Sequence, residues 1–205
     1  MCACTLEDLV FGKYGGPPVS DSQGILYQIC LGLDHLHFLD IIHGNLKPAN
    51  ILVSIPASSN VRPVMKLADF GLNHLSKRYT QPQQTHGNQW IWPACSEAWM
   101  APDDVITLAF DIYPLGHIFG FVLTDGLVSN GCEGEHRSYR WVKQVLTPLS
   151  LNHLINVGDA PHVLQLVCSM LEEEPEQRPT VCQILKHPFF SPSKFRIKEA
   201  ARGIM

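Results

Sequence analysis

The fold is decided by one stretch of the chain, which reads Ile41-Ile42-His43-Gly44-Asn45-Leu46-Lys47-Pro48-Ala49-Asn50-Ile51-Leu52-Val53. An apolar run covers 50–55, and a second one follows at 64–68, after the polar, proline-containing segment PASSNVRP. Two short apolar runs joined by a polar loop predict a small β-hairpin. The polar residues of the quoted stretch therefore lie directly in front of a hairpin.

Six helices are predicted elsewhere in the chain: at 5–11, a long one with an apolar stripe at 25–36, and at 112–123, 135–146, 161–171 and 180–186. Thr5 and Asp8 fit a capping box for the first helix, and Ser20 or Asp21 can cap the second. The third helix is apolar on most sides, which predicts a buried central helix. Residues 73–98 are polar and irregular and are expected to form a long loop. The predicted fold class is mainly α (α+β).

Composition and charge limit the class of protein. The chain has 205 residues, of which 45% are hydrophobic and 17% charged, and this suits one domain with a core. A net charge of −4 argues against a nucleic-acid partner or an anionic membrane surface. The N-terminus carries Glu7 and Asp8 and has no basic region, and the apolar run 118–123 is far below the ~20 residues of a membrane span. We therefore expect a soluble, cytoplasmic chain without a signal peptide or membrane segment.

Seven cysteines are scattered along the chain, at positions 2, 4, 30, 95, 132, 168 and 182. No Cys-x-x-Cys pair occurs, and Cys2 and Cys4 are too close together for half of a zinc site. They are predicted to be reduced thiols of a cytosolic protein. The histidines other than His43 show no spacing typical of metal ligands, so we expect them on the surface or in the core.

The stretch at 41–53 closely resembles the catalytic loop of eukaryotic protein kinases, in which His-Arg-Asp is followed by Leu-Lys-Pro-x-Asn. Four more kinase motifs follow in the family's order: Asp69-Phe70-Gly71, Ala101-Pro102-Asp103, Asp111-Ile-Tyr-Pro-Leu-Gly116 and Arg178-Pro179. The resemblance covers residues from about 4 to 190. It implies the C-lobe of a kinase, a helical bundle with a small hairpin at the ATP cleft.

The resemblance also implies roles in phosphoryl transfer. Asn50 and Asp69 stand at the Mg²⁺-binding positions, and Lys47 at the position that balances the phosphate. The position of the catalytic base holds Asn45, and an amide cannot accept a proton at neutral pH. Because a general base contributes about 10²–10⁴-fold, we expect severe impairment. Weak or vestigial Mg-ATP binding is also expected, because without an N-lobe the adenine pocket lacks its roof and the phosphates lack a glycine-rich loop.

Further positions match residues that support the kinase fold. The resemblance implies structural roles for His43, Phe70, Gly71, Asp103, Asp111 and Arg178. His43 and Phe70 are expected to pack in the core, Asp103 to pair with Arg178, and Asp111 to brace the catalytic-loop backbone. Asp111 also fits a plain N-cap, which is compatible with the bracing role. Gly44 replaces the Arg that usually pairs with a phosphate on the activation segment, so such ordering is not expected here.

Shorter signatures resemble the inositol-requiring kinase/endoribonuclease, the sensor of the unfolded-protein response. They are the segments at 2–9, 33–37, 96–102 and 185–190. The Lys-Pro-x-Asn spelling favours the serine/threonine branch of the kinases. The resemblance implies a protein partner or a kinase-type dimer, and a place on the cytosolic face of the endoplasmic reticulum.

The sequence at the two ends of the chain predicts which parts of a kinase are present. No glycine-rich loop, Val-Ala-x-Lys strand or partner Glu helix precedes residue 2, so we expect the kinase N-lobe to be absent. A kinase-like domain is predicted at 1–190, followed by a tail at 191–205 that is too short for a ribonuclease. Three hypotheses remain open: a pseudokinase-like binding module, a fragment or incomplete gene model of an active serine/threonine kinase, and a product that barely folds.

Overall fold

The computed structural model describes residues 4–13, 21–54, 63–70, 99, 101–103, 105–126 and 160–191. Several predictions fall outside these ranges: the helix at 135–146, the loop at 73–98, Gly71, and the tail after Ser191. The described helices and strands form a mainly helical structure with one small sheet. The predicted fold class is confirmed in this coarse form.

The sheet has three antiparallel strands in the order β1-β2-β3, which are Cys4–Thr5, Ile51–Ser54 and Val64–Leu67. Strands β2 and β3 are the predicted hairpin, with Ile51 opposite Leu67 at one end. The short strand β1 was not predicted, since Thr5 was assigned to the helix alone. Its pairing with β2 joins residues far apart in sequence, with Cys4 opposite Val53, and local sequence does not reveal such pairing.

The first helix, α1 (Leu6–Val10), begins at the predicted capping box. The Asp8 N–H donates to Thr5 Oγ1 (3.2 Å), and the Thr5 N–H donates back to Asp8 Oδ2 (3.1 Å). Two otherwise unpaired backbone donors are thereby satisfied. The helix ends one residue earlier than predicted, because Phe11 is its C-cap and Gly12 turns the chain at φ +66°.

The long helix α2 (Ser22–Phe38) holds the hairpin in place. Asp21, one of the two predicted caps, accepts a hydrogen bond from the Gly24 N–H at 3.0 Å. On the helix surface, Gln28 donates to the Pro63 carbonyl and accepts from the Met65 N–H, both at 3.1 Å. These bonds tie strand β3 to the middle of α2.

Three more helices complete the described core: α3 (Ile112–Leu123), α4 (Ala160–Met170) and α5 (Val181–Leu185). Every residue of α3 is buried, which confirms the predicted central helix. Gly116 lets the end of α4 approach α3, since a Cβ there would lie 3.0 Å from Leu171. Helix α5 starts at a capping box of Thr180 and Gln183.

Short 3₁₀ turns connect these elements, at Pro48–Asn50, Leu108–Asp111, Pro175–Gln177 and Pro188–Phe190. The first turn leads into β2 and the second into α3. The quoted stretch 41–53 thus runs from the end of α2 to the hairpin. In the described ranges, no helix combines the length and the apolar character that crossing a bilayer requires.

Candidate active site

The hairpin brings two motif residues together. Ile51 and Leu67 are paired at one end of the β2–β3 ladder, so the chain before β2 and the chain after β3 meet there. The Ala68 N–H extends this contact by donating to the Asn50 carbonyl at 2.9 Å. Asn50 and Asp69 therefore share one end of the sheet, although a long segment of sequence separates them.

Asn45 reaches the same point from the preceding loop. Its side-chain Nδ2 donates to Asp69 Oδ2 at 2.7 Å, and Asn50 Nδ2 lies 3.4 Å from the same oxygen. Asn50 Nδ2 also donates to the Asn45 carbonyl at 2.8 Å. The three side chains thus form one hydrogen-bonded cluster, which we call the amide–carboxylate cluster.

The backbone of Asp69 is unusual. Its φ is +58°, in the left-handed region that residues other than glycine seldom occupy. The residue is exposed, and its carboxylate is held by the two asparagine amides. Such strained positions gather at functional sites, where the surroundings hold them in place.

Phe70 meets the expectation of a core position only in part. Its ring lies edge-on to the His43 ring, with centroids 6.1 Å apart, yet the residue is 51% exposed. The chain has already left strand β3 at this point, and the neighbouring Asp69 is exposed as well. The sheet therefore does not cover the ring. The next motif residue, Gly71, lies outside the described residues.

His43 is fully buried, as expected of a structural histidine. Its Nδ1 accepts a hydrogen bond from the Asn45 N–H at 3.3 Å, and its Nε2 has no partner among the described residues. Burial lowers the pKa of His43, and the nearby Asp111 carboxylate opposes this shift only in part. The lowered pKa favours the neutral form of the ring, which supports the loop through its contact with the Asn45 N–H.

Asp111 also holds the loop that contains His43 and Gly44. Its buried carboxylate accepts hydrogen bonds from the backbone N–H groups of His43 and Gly44, both at 2.8 Å. Asp111 is the N-cap residue of helix α3 by position, but its side chain makes no capping hydrogen bond and is used by the loop instead. Gly44 has φ +71°, a conformation that glycine adopts without a steric cost.

His37 is a partner of Asp111 that the sequence analysis missed. Its Nε2 lies 2.9 Å from Asp111 Oδ2, and its side chain is only 10% exposed. The sequence predicts only a surface or core position for His37 and does not predict this bond. One signal was available: His37 lies in the last turn of a long helix, shortly before the loop that Asp111 contacts.

Lys47 is the N-cap residue of the 3₁₀ turn that precedes β2. It is partly buried, has extended backbone geometry, and accepts a hydrogen bond from the Asn50 N–H at its carbonyl (2.9 Å). The turn therefore fixes the separation of Lys47 and Asn50 along the loop.

Asp103 and Arg178 form a buried ion pair. Arg178 Nη1 donates to Asp103 Oδ2 at 2.8 Å, Nη2 donates to Oδ1, and both side chains are fully buried. The remaining guanidinium N–H groups donate to the carbonyls of Glu172, Ala109 and Glu173, at 2.8, 3.0 and 2.9 Å. All five donors of the guanidinium are thus used. The shorter Asp side chain spans the gap in place of the Glu of the kinase motif.

The described residues offer limited means of holding a metal. No group of three or more His, Cys, Asp or Glu side chains is placed to bind an ion in these parts of the chain. Asp69 and Asn50 supply a carboxylate and an amide, and Mg²⁺ prefers such oxygen ligands. They fit this ion once the Asn50 oxygen, rather than its nitrogen, faces Asp69.

Comparison with known proteins accounts for this arrangement. A family model described as protein kinase domain matches residues 6–190. The chain belongs to the protein kinase family. The matched range of this kinase domain contains all the motifs described above, from the catalytic-loop stretch to Arg178.

Several curated relatives of this kinase domain are serine/threonine-protein kinase/endoribonucleases. The chain is 31% identical to IRE1 of Hypocrea jecorina, 34% to ire-1 of Caenorhabditis elegans and 33% to IRE2 of Homo sapiens. These alignments cover 94%, 96% and 93% of the chain, but 18%, 20% and 20% of the relatives. The chain thus spans about a fifth of the length of these relatives. The resemblance to the unfolded-protein-response kinases is confirmed.

Proposed function

We propose that this kinase domain is a catalytically impaired, pseudokinase-like module that acts by binding rather than by phosphoryl transfer. The observation that carries the proposal is the Asn45 amide, which stands at the position of the base and donates to Asp69 at 2.7 Å. A group that donates a hydrogen bond and cannot take up a proton cannot activate a substrate hydroxyl. Loss of the base alone removes about 10²–10⁴-fold in rate.

The catalytic loop supports the proposal at a second position. Gly44 has no side chain with which to bind a phosphate, and its backbone N–H is used by Asp111. A kinase loop that is ordered by phosphorylation needs a cation to pair with the new charge. We therefore propose that phosphorylation of the activation segment does not act through this position.

Nucleotide binding is proposed to be weak. Asp69 and Asn50 would hold Mg²⁺, and Lys47 would contact a phosphate, in keeping with the family's general use of Mg-ATP. The ion, when bound, neutralises phosphate charge. The chain's own residues contribute orientation: the 3₁₀ turn spaces Lys47 from Asn50, and the hairpin aligns Asn50 with Asp69.

The relatives suggest where such a module would work. One of them is named "Sensor for unfolded proteins in the ER ire1" in Schizosaccharomyces pombe, and it is 30% identical over 93% of this chain. We propose that this chain acts in the same response, at the cytosolic face of the endoplasmic reticulum. Pairing with another kinase domain as a dimer is the proposed mode of action.

A phosphotransfer assay tests the proposed impairment. The chain is incubated with Mg-ATP labelled in the γ-phosphate and with a general protein substrate, beside its Asp69→Ala variant. We expect the same background signal from both proteins. Robust transfer that Asp69→Ala abolishes would show an active kinase and overturn the proposal.

The second candidate function is an active serine/threonine kinase of which this chain is a piece. The retained Lys47, Asn50 and Asp69 favour it, since phosphoryl transfer uses residues of these types for the phosphate and the metal ions. Sequencing of transcripts separates the two functions. An upstream exon that encodes a glycine-rich loop and a Val-Ala-x-Lys strand would support the active kinase.

A further inference from the structure

We propose that the Asn45 amide holds the Asp69 carboxylate in place of a divalent cation, so that the amide–carboxylate cluster is ordered without metal and resists metal entry. This inference deepens the proposed function and rests on its assignment of Asp69 as the metal-binding residue. It concerns how the chain's own side chains control access to that carboxylate.

The first argument is geometric. Both amide nitrogens point at the same carboxylate oxygen, Oδ2 of Asp69, at 2.7 Å from Asn45 and 3.4 Å from Asn50. Mg²⁺ needs oxygen ligands at about 2.0–2.1 Å in a nearly octahedral arrangement. An ion at Oδ2 would meet N–H hydrogens where it needs oxygen atoms. It must first displace the Asn45 donor and turn the Asn50 amide.

The second argument is electrostatic. An N–H group that donates to a carboxylate carries partial positive charge, and such charge-assisted bonds are among the stronger hydrogen bonds of proteins. The Asn45 donor therefore supplies part of the neutralisation that a cation would supply. Asn45 also adds no negative charge. An aspartate at this position would place a second carboxylate beside Asp69, and a bound cation would relieve the repulsion between the two.

The third argument concerns the backbone. Asp69 has φ +58°, which costs free energy for a residue with a side chain. Asn50 Nδ2 links the Asp69 carboxylate to the Asn45 carbonyl, at 3.4 and 2.8 Å respectively. The cluster therefore closes on itself, and this closed set of bonds holds the strained residue without an external ligand.

Mn²⁺ binding without nucleotide tests the proposal, because the electron paramagnetic resonance signal of free Mn²⁺ reports binding directly. The full chain is titrated beside Asn45→Asp, Asn45→Ala and Asp69→Asn. We expect the wild-type chain to bind Mn²⁺ no better than Asp69→Asn. Asn45→Ala should bind several-fold more tightly because the donor is gone, and Asn45→Asp at least about tenfold more tightly because it adds a charge.

Gln165→Glu is the matched control, since it changes an exposed amide to a carboxylate on α4, away from the cluster. It should leave Mn²⁺ binding at the wild-type level. The gain in Asn45→Asp should disappear in the double variant Asn45→Asp/Asp69→Asn. Circular dichroism identifies any variant that has lost its fold. If one Asn45 variant is unfolded, Mn²⁺ binding by the other Asn45 variant tests the proposal.

Two results would overturn the proposal. One is an Asp69-dependent Mn²⁺ site in the wild-type chain that is as tight as in Asn45→Asp. The other is Asn45→Ala binding no more tightly than wild type, since the donor would then block nothing. Neither result depends on phosphotransfer: tight metal binding without turnover rejects this inference alone, and Asp69-dependent turnover rejects the proposed function.

Discussion

Asp111 holds Gly44 by a hydrogen bond of 2.8 Å between the Gly44 backbone N–H and the Asp111 carboxylate. The other carboxylate oxygen accepts from the His43 N–H at 2.8 Å and contacts His37 Nε2 at 2.9 Å. One fully buried side chain at the start of α3 therefore fixes the loop that carries Asn45.

Asp111→Ala is predicted to destabilise the chain strongly. The change leaves two buried backbone donors without acceptors, and each such donor costs about 1–3 kcal/mol. We expect a loss of about 3 kcal/mol in the free energy of unfolding, measured by urea denaturation. Asp111→Asn should lose nearly as much, because its NH₂ group would face one of the two donors.

Glu176→Ala serves as the control for this prediction. Glu176 is an exposed acid outside the site, so its removal should change the free energy of unfolding by no more than about 0.5 kcal/mol. If Asp111→Asn were as stable as the wild-type chain, the two backbone hydrogen bonds would not hold the loop as described.

The Asp103–Arg178 pair gives the second prediction. Asp103→Ala leaves a buried guanidinium without its anion, and breaking a buried pair costs about 3–5 kcal/mol. Arg178→Lys should also be destabilising, because an ammonium has three donors where all five guanidinium donors are used. Thermal unfolding of both variants measures the loss.

The double variant Asp103→Ala/Arg178→Met is the informative comparison for that pair. It removes both charges, so it should be more stable than Asp103→Ala alone. An Asp103→Ala chain that equals the double variant in stability would mean that the unpaired guanidinium finds other compensation. Arg178 would then owe its place to its three carbonyl contacts.

Features that depend on neighbouring residues could be predicted from the sequence. The capping box of Thr5 and Asp8, the cap at Asp21 and the hairpin strands all follow from short patterns, and the structure contains each of them. Each is decided by steric and hydrogen-bonding preferences within a few residues. The order of the kinase motifs then placed these elements in a known fold.

Features that join distant segments could not be predicted in the same way. The bond between His37 and Asp111 depends on how the end of α2 meets the start of α3. The contact between Asn45 and Asp69 depends on the loop, the hairpin and the left-handed backbone of Asp69 together. Both residues can be recognised from their kinase motifs, yet nothing in the sequence gives the distance between their side chains.

Thiol reactivity gives the third prediction. Cys30 is fully buried in α2, and burial raises the pKa of its thiol, so little of the reactive thiolate forms. Cys182 lies exposed on α5. We expect iodoacetamide to label Cys182 in the folded chain and to label Cys30 only after denaturation, as peptide mass spectrometry would record.

Labelling of the unfolded chain controls for intrinsic reactivity, since in denaturant the two cysteines should react at similar rates. Rapid labelling of Cys30 under native conditions would contradict the packing of α2 against the core. It would also count in favour of the hypothesis that the chain barely folds, because a cooperative structure protects the residues of its core.

His43 gives the last prediction, which concerns stability at acidic pH. Burial lowers the pKa of His43 below the 6.5 of a free histidine. Between these two pKa values the unfolded chain binds more protons than the folded chain, so stability rises with pH. The favourable contribution of the neutral ring is therefore complete above the unfolded pKa and is lost progressively as the pH falls below 6.5.

His43→Gln should remove this dependence, because glutamine does not titrate. We expect the stability of the wild-type chain, measured by urea denaturation from pH 7.5 to 5, to fall more steeply than that of the variant. The difference in slope cannot exceed about 1.4 kcal/mol per pH unit, the value for one proton. If stability fell equally steeply with pH in both proteins, His43 would have the same pKa in the folded and unfolded chain. The description of His43 as a buried, neutral ring that supports the Asn45 loop would then be wrong.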